Sequence, residues 1–192
     1  MRRQQIRSLL AALKAKGHRV DAGLTGEEFG GVAKRFGISF PRDLRAILAT
    51  GLPVSPGFVH WRYGLRGHAG EQQIASRLAA PAAGVLSSVR HDDFWLSAWG
   101  IRPESLAGRL RLAGDYLDAS PALIPIYSHR YLPSEPNEGG NPVLSVMQAD
   151  ICYYGRDLAD YFNREFDLGL ALDRGGGYAP KHVRFWSEVV AW

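Results

Sequence analysis

Two short runs in this chain carry side chains suited to chemistry: His91-Asp92-Asp93 and His129-Arg130-Tyr131. Imidazole and carboxylates are metal ligands, but three consecutive residues do not all face one ion, and no further ligand stands at helical spacing. The first run therefore reads as the N-cap of a short helix. In the second, a titratable imidazole lies beside a cation and a phenol. Asp157, Asp160 and Glu165 follow on a predicted helix, and His129 facing one of them would form a general base. The simpler reading is a polar network that fixes the adjacent Pro-rich loop. Gly175-Gly176-Gly177 lacks the Gly-Lys-Ser/Thr of a phosphate-binding loop and opens no βαβ unit, so it reads as a flexible connector. The chain contains no His-Glu-x-x-His, no Gly-x-Ser-x-Gly and no multi-cysteine motif. No catalytic residue, metal site or cofactor is expected.

The single cysteine, Cys152, excludes an internal disulfide and a multi-Cys zinc site. Set in Ile151-Cys152-Tyr153-Tyr154, it reads as a small core residue. Lys plus Arg number 23 and Asp plus Glu 19, for a net charge of +4. The densest basic run is Arg2, Arg3, Arg7, Lys14, Lys16 and Arg19. It reads as the solvated face of a helix, and no nucleic-acid partner is expected. No run reaches the ~20 apolar residues of a membrane span. Leu9-Leu10-Ala11-Ala12-Leu13 is too short for a secretory signal, so the expected location is cytoplasmic. With 46% apolar and 22% charged residues over 192 positions, the composition is that of one folded domain.

The elements that must position these residues follow from periodicity. Ile6, Leu9, Leu10 and Leu13 predict an amphipathic helix from Gln4 to Lys16. This N-terminal piece, 1–20, precedes a domain spanning 21–192. Thr25 with Glu28 makes a capping box for a helix burying Phe29, Val32, Ala33 and Phe36 and ending at Gly37. Pro41 opens a third helix carrying Leu44, Ile47 and Leu48 to Gly51. The pair resembles a helix-turn-helix, but Asp43 between Arg42 and Arg45 suits packing better than base reading. A loop from Leu52 to Arg66, a helix near Glu71–Ala79 and a short helix begun at Asp92 or Asp93 come next. Trp95 and Trp99 share a face of that short helix. Pro103-Glu104 opens a further helix with Leu106, Leu110, Leu112 and Leu117. Strands are predicted over Ala122–Tyr127, Val143–Met147 and Ile151–Tyr154, with a loop from Leu132 to Pro142 that includes Gly139-Gly140. A helix begun by Arg156 or Asp157 buries Leu158, Tyr161, Phe162 and Phe166, and His182–Val190 closes the chain as helix or strand. Helices first, then clustered strands, then a helix indicate an α+β fold. Of Trp61, Trp95, Trp99, Trp186 and Trp192, two or three are expected to be structural.

The chain resembles the SUKH superfamily, the Smi/Knr-type domains, over roughly Thr25 to Trp186. In front, Phe40-Pro41, Leu44, Leu48, Gly51, Leu52-Pro53 and Trp61 follow the family's pattern of a proline-led helix, a glycine and a downstream Trp. Behind, Leu123-Ile124-Pro125-Ile126, His129 to Pro133, Gly140-Asn141-Pro142-Val143, Ser145-Val146, Asp150-Ile151, Tyr153-Tyr154-Gly155 and Asp157-Leu158 are similar to its stand-alone bacterial branch. The resemblance implies a mostly antiparallel sheet flanked by helices, and a binding module in place of an enzyme. Many bacterial relatives are immunity proteins that block a secreted toxin, often a nuclease, and fungal relatives are regulatory interaction proteins. Inhibitors of cationic nucleases are commonly acidic, so the +4 charge departs from that pattern. Glu135 with Glu138, or Asp157, Asp160 and Glu165, could supply a local acidic patch. The expected function is steric neutralisation of a toxin by a surface containing Trp61, Trp95, Tyr131, Glu135, Asn137, Glu138 and Tyr154. The alternatives are a regulatory scaffold without a toxin partner, and an enzyme using His129 with a carboxylate.

Overall fold

The computed structural model describes residues 1–171 and 179–191. Helix α1 (Arg3–Ala15) buries Ile6, Leu9, Leu10 and Leu13. The short strand β1 (Val20–Ala22) follows and pairs antiparallel with β2 (Gly51–Pro53). The N-terminal helix thus belongs to the same core as the rest of the chain. Between the two strands lie α2 (Gly26–Phe36) and α3 (Arg42–Thr50). The capping box of α2 is formed: Glu28 N donates to Thr25 Oγ1 at 3.2 Å and Thr25 N to Glu28 Oε2 at 2.9 Å. Gly37 ends α2 at φ 67°, in the left-handed region that glycine reaches without strain. The buried stripe of α2 is narrower than expected, because Ala33 is exposed and Phe36 half-buried.

Helix α4 (Trp61–Gly64) interrupts the segment expected to be loop. Helix α5 (His68–His91) is 24 residues long and runs through Pro81, well past the expected end at Ala79. A proline removes one backbone donor from the helical ladder. Here Ile74, Pro81, Val85, Ser88 and Val89 are all buried, so packing carries the helix across that break. Asp92 is the C-cap of α5, and the His91-Asp92-Asp93 run therefore ends a long helix instead of starting a short one. Only a 3-10 turn, Ser97–Trp99, follows before α6 (Leu106–Asp118), which is capped by Ser105.

Strands β3 (Leu123–Tyr127), β4 (Arg130–Pro133), β5 (Val143–Met147) and β6 (Asp150–Gly155) form an antiparallel meander in the order β3-β4-β5-β6. Strand β4 takes up the start of the expected loop; Pro125 pairs with Tyr131 and Arg130 with Ser145. Side-chain alternation divides the sheet between two cores. Ile124, Ile126, Leu132 and Val143 face a core built with α1 to α4 and α7 (Leu158–Glu165). Leu123, Tyr131, Leu144, Val146 and Ile151 face a core built with α5, α6 and α8 (Trp186–Val190). The architecture is α+β, a single domain with antiparallel sheets flanked by helices. Cys152 is exposed, contrary to its expected core position. It shares the α7 side of β6 with Tyr154, but the ring of Tyr154 meets Tyr161 of α7 while Cys152 lies open.

Candidate functional site

The loop 132–142 is tied down at several points. Asp43 at the start of α3 is only 4% exposed. Its Oδ2 accepts from Gly140 N at 2.9 Å and its Oδ1 from Leu44 N at 2.9 Å. Burial raises the Asp43 carboxyl above the usual carboxylate range, against the pull of those two donors. Asn141 is fully buried and donates from Nδ2 to Pro133 O at 3.0 Å and Pro136 O at 2.9 Å. Asn137 Nδ2 donates to Ser39 Oγ at 3.1 Å, and Lys181 Nζ to Glu138 Oε1 at 2.5 Å and Gly139 O at 2.9 Å. Glu135, Asn137 and Glu138 are exposed and sit together on this anchored loop.

The side chains that hold the loop are thus Asp43, Asn137, Asn141 and Lys181, and the His129 side chain has no part among them. His129 Nδ1 lies 3.2 Å from Ser128 Oγ. Glu165, the candidate carboxylate whose charge acts on the imidazole, is bonded to Arg130 Nε at 3.3 Å. Asp157 caps α7 through Asp160 N at 2.8 Å, and Asp160 accepts from Arg156 N at 3.0 Å. Desolvation first, then the Arg130 charge, lowers the His129 pKa, and Glu165 only partly offsets them. The imidazole–carboxylate pair of the alternative reading is not assembled.

Two of the expected surface aromatics are interior. Trp61 is 2% exposed, edge-on to Phe40 at 5.0 Å and Phe36 at 6.4 Å. Tyr131 is 5% exposed, its hydroxyl donates to Arg77 O at 3.1 Å, and burial raises its pKa. Neither can touch a partner. Both lie on the strand or helix face that turns toward the core; Trp61 falls in the segment expected to be loop, and Tyr131 between the expected strand and loop. Trp186 is also interior, donating from Nε1 to Pro121 O at 2.6 Å. Trp192 and Gly175-Gly176-Gly177 lie outside the described residues.

Trp95 and Tyr154 are half-buried at the surface, but they belong to opposite sides of the sheet. The Tyr154 ring carries the Arg130 guanidinium at 3.6 Å and the Arg164 guanidinium at 5.9 Å. Trp95 stands edge-on to Trp99 at 5.0 Å and donates from Nε1 to Gly100 O at 3.0 Å. Trp99 in turn stacks on Tyr116 at 6.0 Å and Phe185 at 6.1 Å, and meets Phe94 edge-on at 5.7 Å. Tyr116 of this stack, and Ile101 and Leu106 near it in sequence, are exposed apolar side chains that the periodicity does not single out as surface. Ile101, next to Gly100, is 95% exposed, and Leu106 and Tyr116 are 38% and 39% exposed. The segment 181–185 links the two regions, with Lys181 bonded to the loop and Phe185 in the stack.

Among the described residues, no three His, Cys, Asp or Glu side chains are grouped to hold a metal ion, and no helix is long and apolar enough to cross a membrane. No protein-family model matches the sequence, and neither a curated protein nor a solved structure matches it.

Proposed function

We propose that this chain is a protein-binding module of the SUKH type: a cytoplasmic immunity protein that neutralises a cognate toxin domain by covering it. The observation that carries this reading is the run of surface apolar side chains Trp95, Ile101, Leu106 and Tyr116, of which Trp95 and Tyr116 pack on Trp99. Isolated exposed apolar residues are ordinary, whereas several along one stretch of chain favour an interaction face. Aromatic rings already packed against one another give up little conformational freedom on binding, so more of the burial energy appears as affinity. Arg102, Glu104 and Arg109 stand among these residues in sequence, and interfaces of this kind carry a polar rim. The anchored loop 132–142, with Glu135, Asn137 and Glu138 exposed, offers a second preformed contact.

The test is co-expression with toxin domains encoded beside the gene. The wild-type chain restores growth and co-purifies with one of them, and Ile101→Asp loses both while remaining folded. Failure of the wild-type chain to bind or protect against any of them would refute the immunity reading.

A further inference from the structure

A cavity of about 400 Å³ opens between the C-terminal end of α5, the β5–β6 turn and α8. Phe94, Ile151 and Val189 line it and are each under 5% exposed, at 1%, 4% and 3%. Met147, 58% exposed, stands at its mouth, and an exposed Met is an adaptable wall for a partner of irregular shape. The charged residues in its lining are Asp92 and Asp150, both exposed. Among the described residues neither carboxylate has an ion-pair partner. Arg90 and His91 precede Asp92 in the last turn of α5 but do not line the cavity. An apolar slot rimmed by two free carboxylates matches an apolar body with a cationic head, the build of a Lys or Arg side chain.

We infer that this cavity receives a Lys or Arg side chain, with its apolar neighbours, presented by a protein partner. The inference rests on the protein-binding reading and specifies the partner's chemistry. Phe94, in the slot's lining, meets Trp99 of the ring stack at 5.7 Å. The two carboxylates also give a chain of net charge +4 a local attraction for a basic partner.

The test uses the full chain, labelled with ¹⁵N, and three capped pentapeptides in which Lys, Gln or Glu stands between two leucines flanked by glycines. The Lys peptide shifts the amide signals of Asp92, Gln148, Asp150 and Val189, and binds about tenfold tighter than the Glu peptide. The double variant Asp92→Asn/Asp150→Asn, altered only at exposed positions, reduces this preference below about twofold. Equal binding of all three peptides, shifts that lie elsewhere, or no shift at millimolar peptide each overturn the inference. The two readings fail separately. Peptide binding without toxin capture sinks the immunity reading alone, and toxin capture without charge-ranked peptide binding sinks the slot alone.

Discussion

Replacing Asp43 by alanine removes the carboxylate that joins α3 to the loop 132–142. Gly140 N loses its 2.9 Å acceptor, and Leu44 N, in the first turn of α3 where the helix offers no partner, loses another at 2.9 Å. A hydrogen bond to a charged group contributes roughly 1.5–3 kcal/mol, and a capping interaction about 1 kcal/mol. Against this stands the desolvation of the carboxylate itself, which raises its pKa. The net loss at neutral pH is about 2 kcal/mol. The pH dependence has a definite sign. For a raised carboxyl pKa, the associated stability is fully present below the unfolded value near 3.8 and is lost as pH rises through the folded value. Alanine has no such group, so the gap between wild type and variant is wider near pH 4 than at pH 7. Urea denaturation at both pH values measures it, and hydrogen exchange at Gly140 reports the local release. A destabilisation under ~0.5 kcal/mol with unchanged Gly140 exchange would refute the anchoring role.

Three further perturbations probe other contacts. Gly84→Ala sets a Cβ 2.8 Å from the Gln148 Cα, so it lowers Tm through about 1–3 kcal/mol of overpacking; a rise in Tm from the ~1 kcal/mol helix-propensity gain would show that the β5–β6 turn yields freely. Arg130→Ala leaves Glu165 without its 3.3 Å partner and strips the guanidinium from Tyr154, costing roughly 3 kcal/mol in chemical denaturation, whereas Arg130→Met with Glu165→Leu recovers most of it. NMR titration of His129 gives a pKa below the ordinary 6.5, so its contribution to stability is present above 6.5 and falls away as pH drops through the folded value; a pKa above 6.5 would mean that Glu165 dominates and would revive the imidazole–carboxylate pair.

Local signals read well in the sequence where the chain decides its own conformation. The Thr25–Glu28 box, the Gly37 stop, the apolar stripe of α1 and the Asp157 cap of α7 all depend on neighbours a few residues away. Tertiary contacts decided the rest. Pro81 reads as a helix end, yet the buried face of α5 against the sheet carries the helix through it. Strand β4 was hidden because Arg130 and the adjoining Pro-rich loop mask its alternation, and Tyr131 was misread as surface with it. Trp61 and Trp95 look alike as residues; only the packing of Phe36 and Phe40 buries one, while the Gly100 turn holds the other at the surface. Asp43 reads in the sequence only as an acid that speaks against base reading, while its partner in the anchor lies 97 residues away. No local pattern discloses a contact of that range.

The decisive measurement is amide hydrogen exchange of the chain with and without a toxin domain that co-purifies with it. Binding slows exchange from Trp95 to Ile101 and in the first turn of α6, with further protection in the loop 132–142. Protection confined to β6 and α7 around Tyr154, or no change at the ring stack, would contradict that expectation.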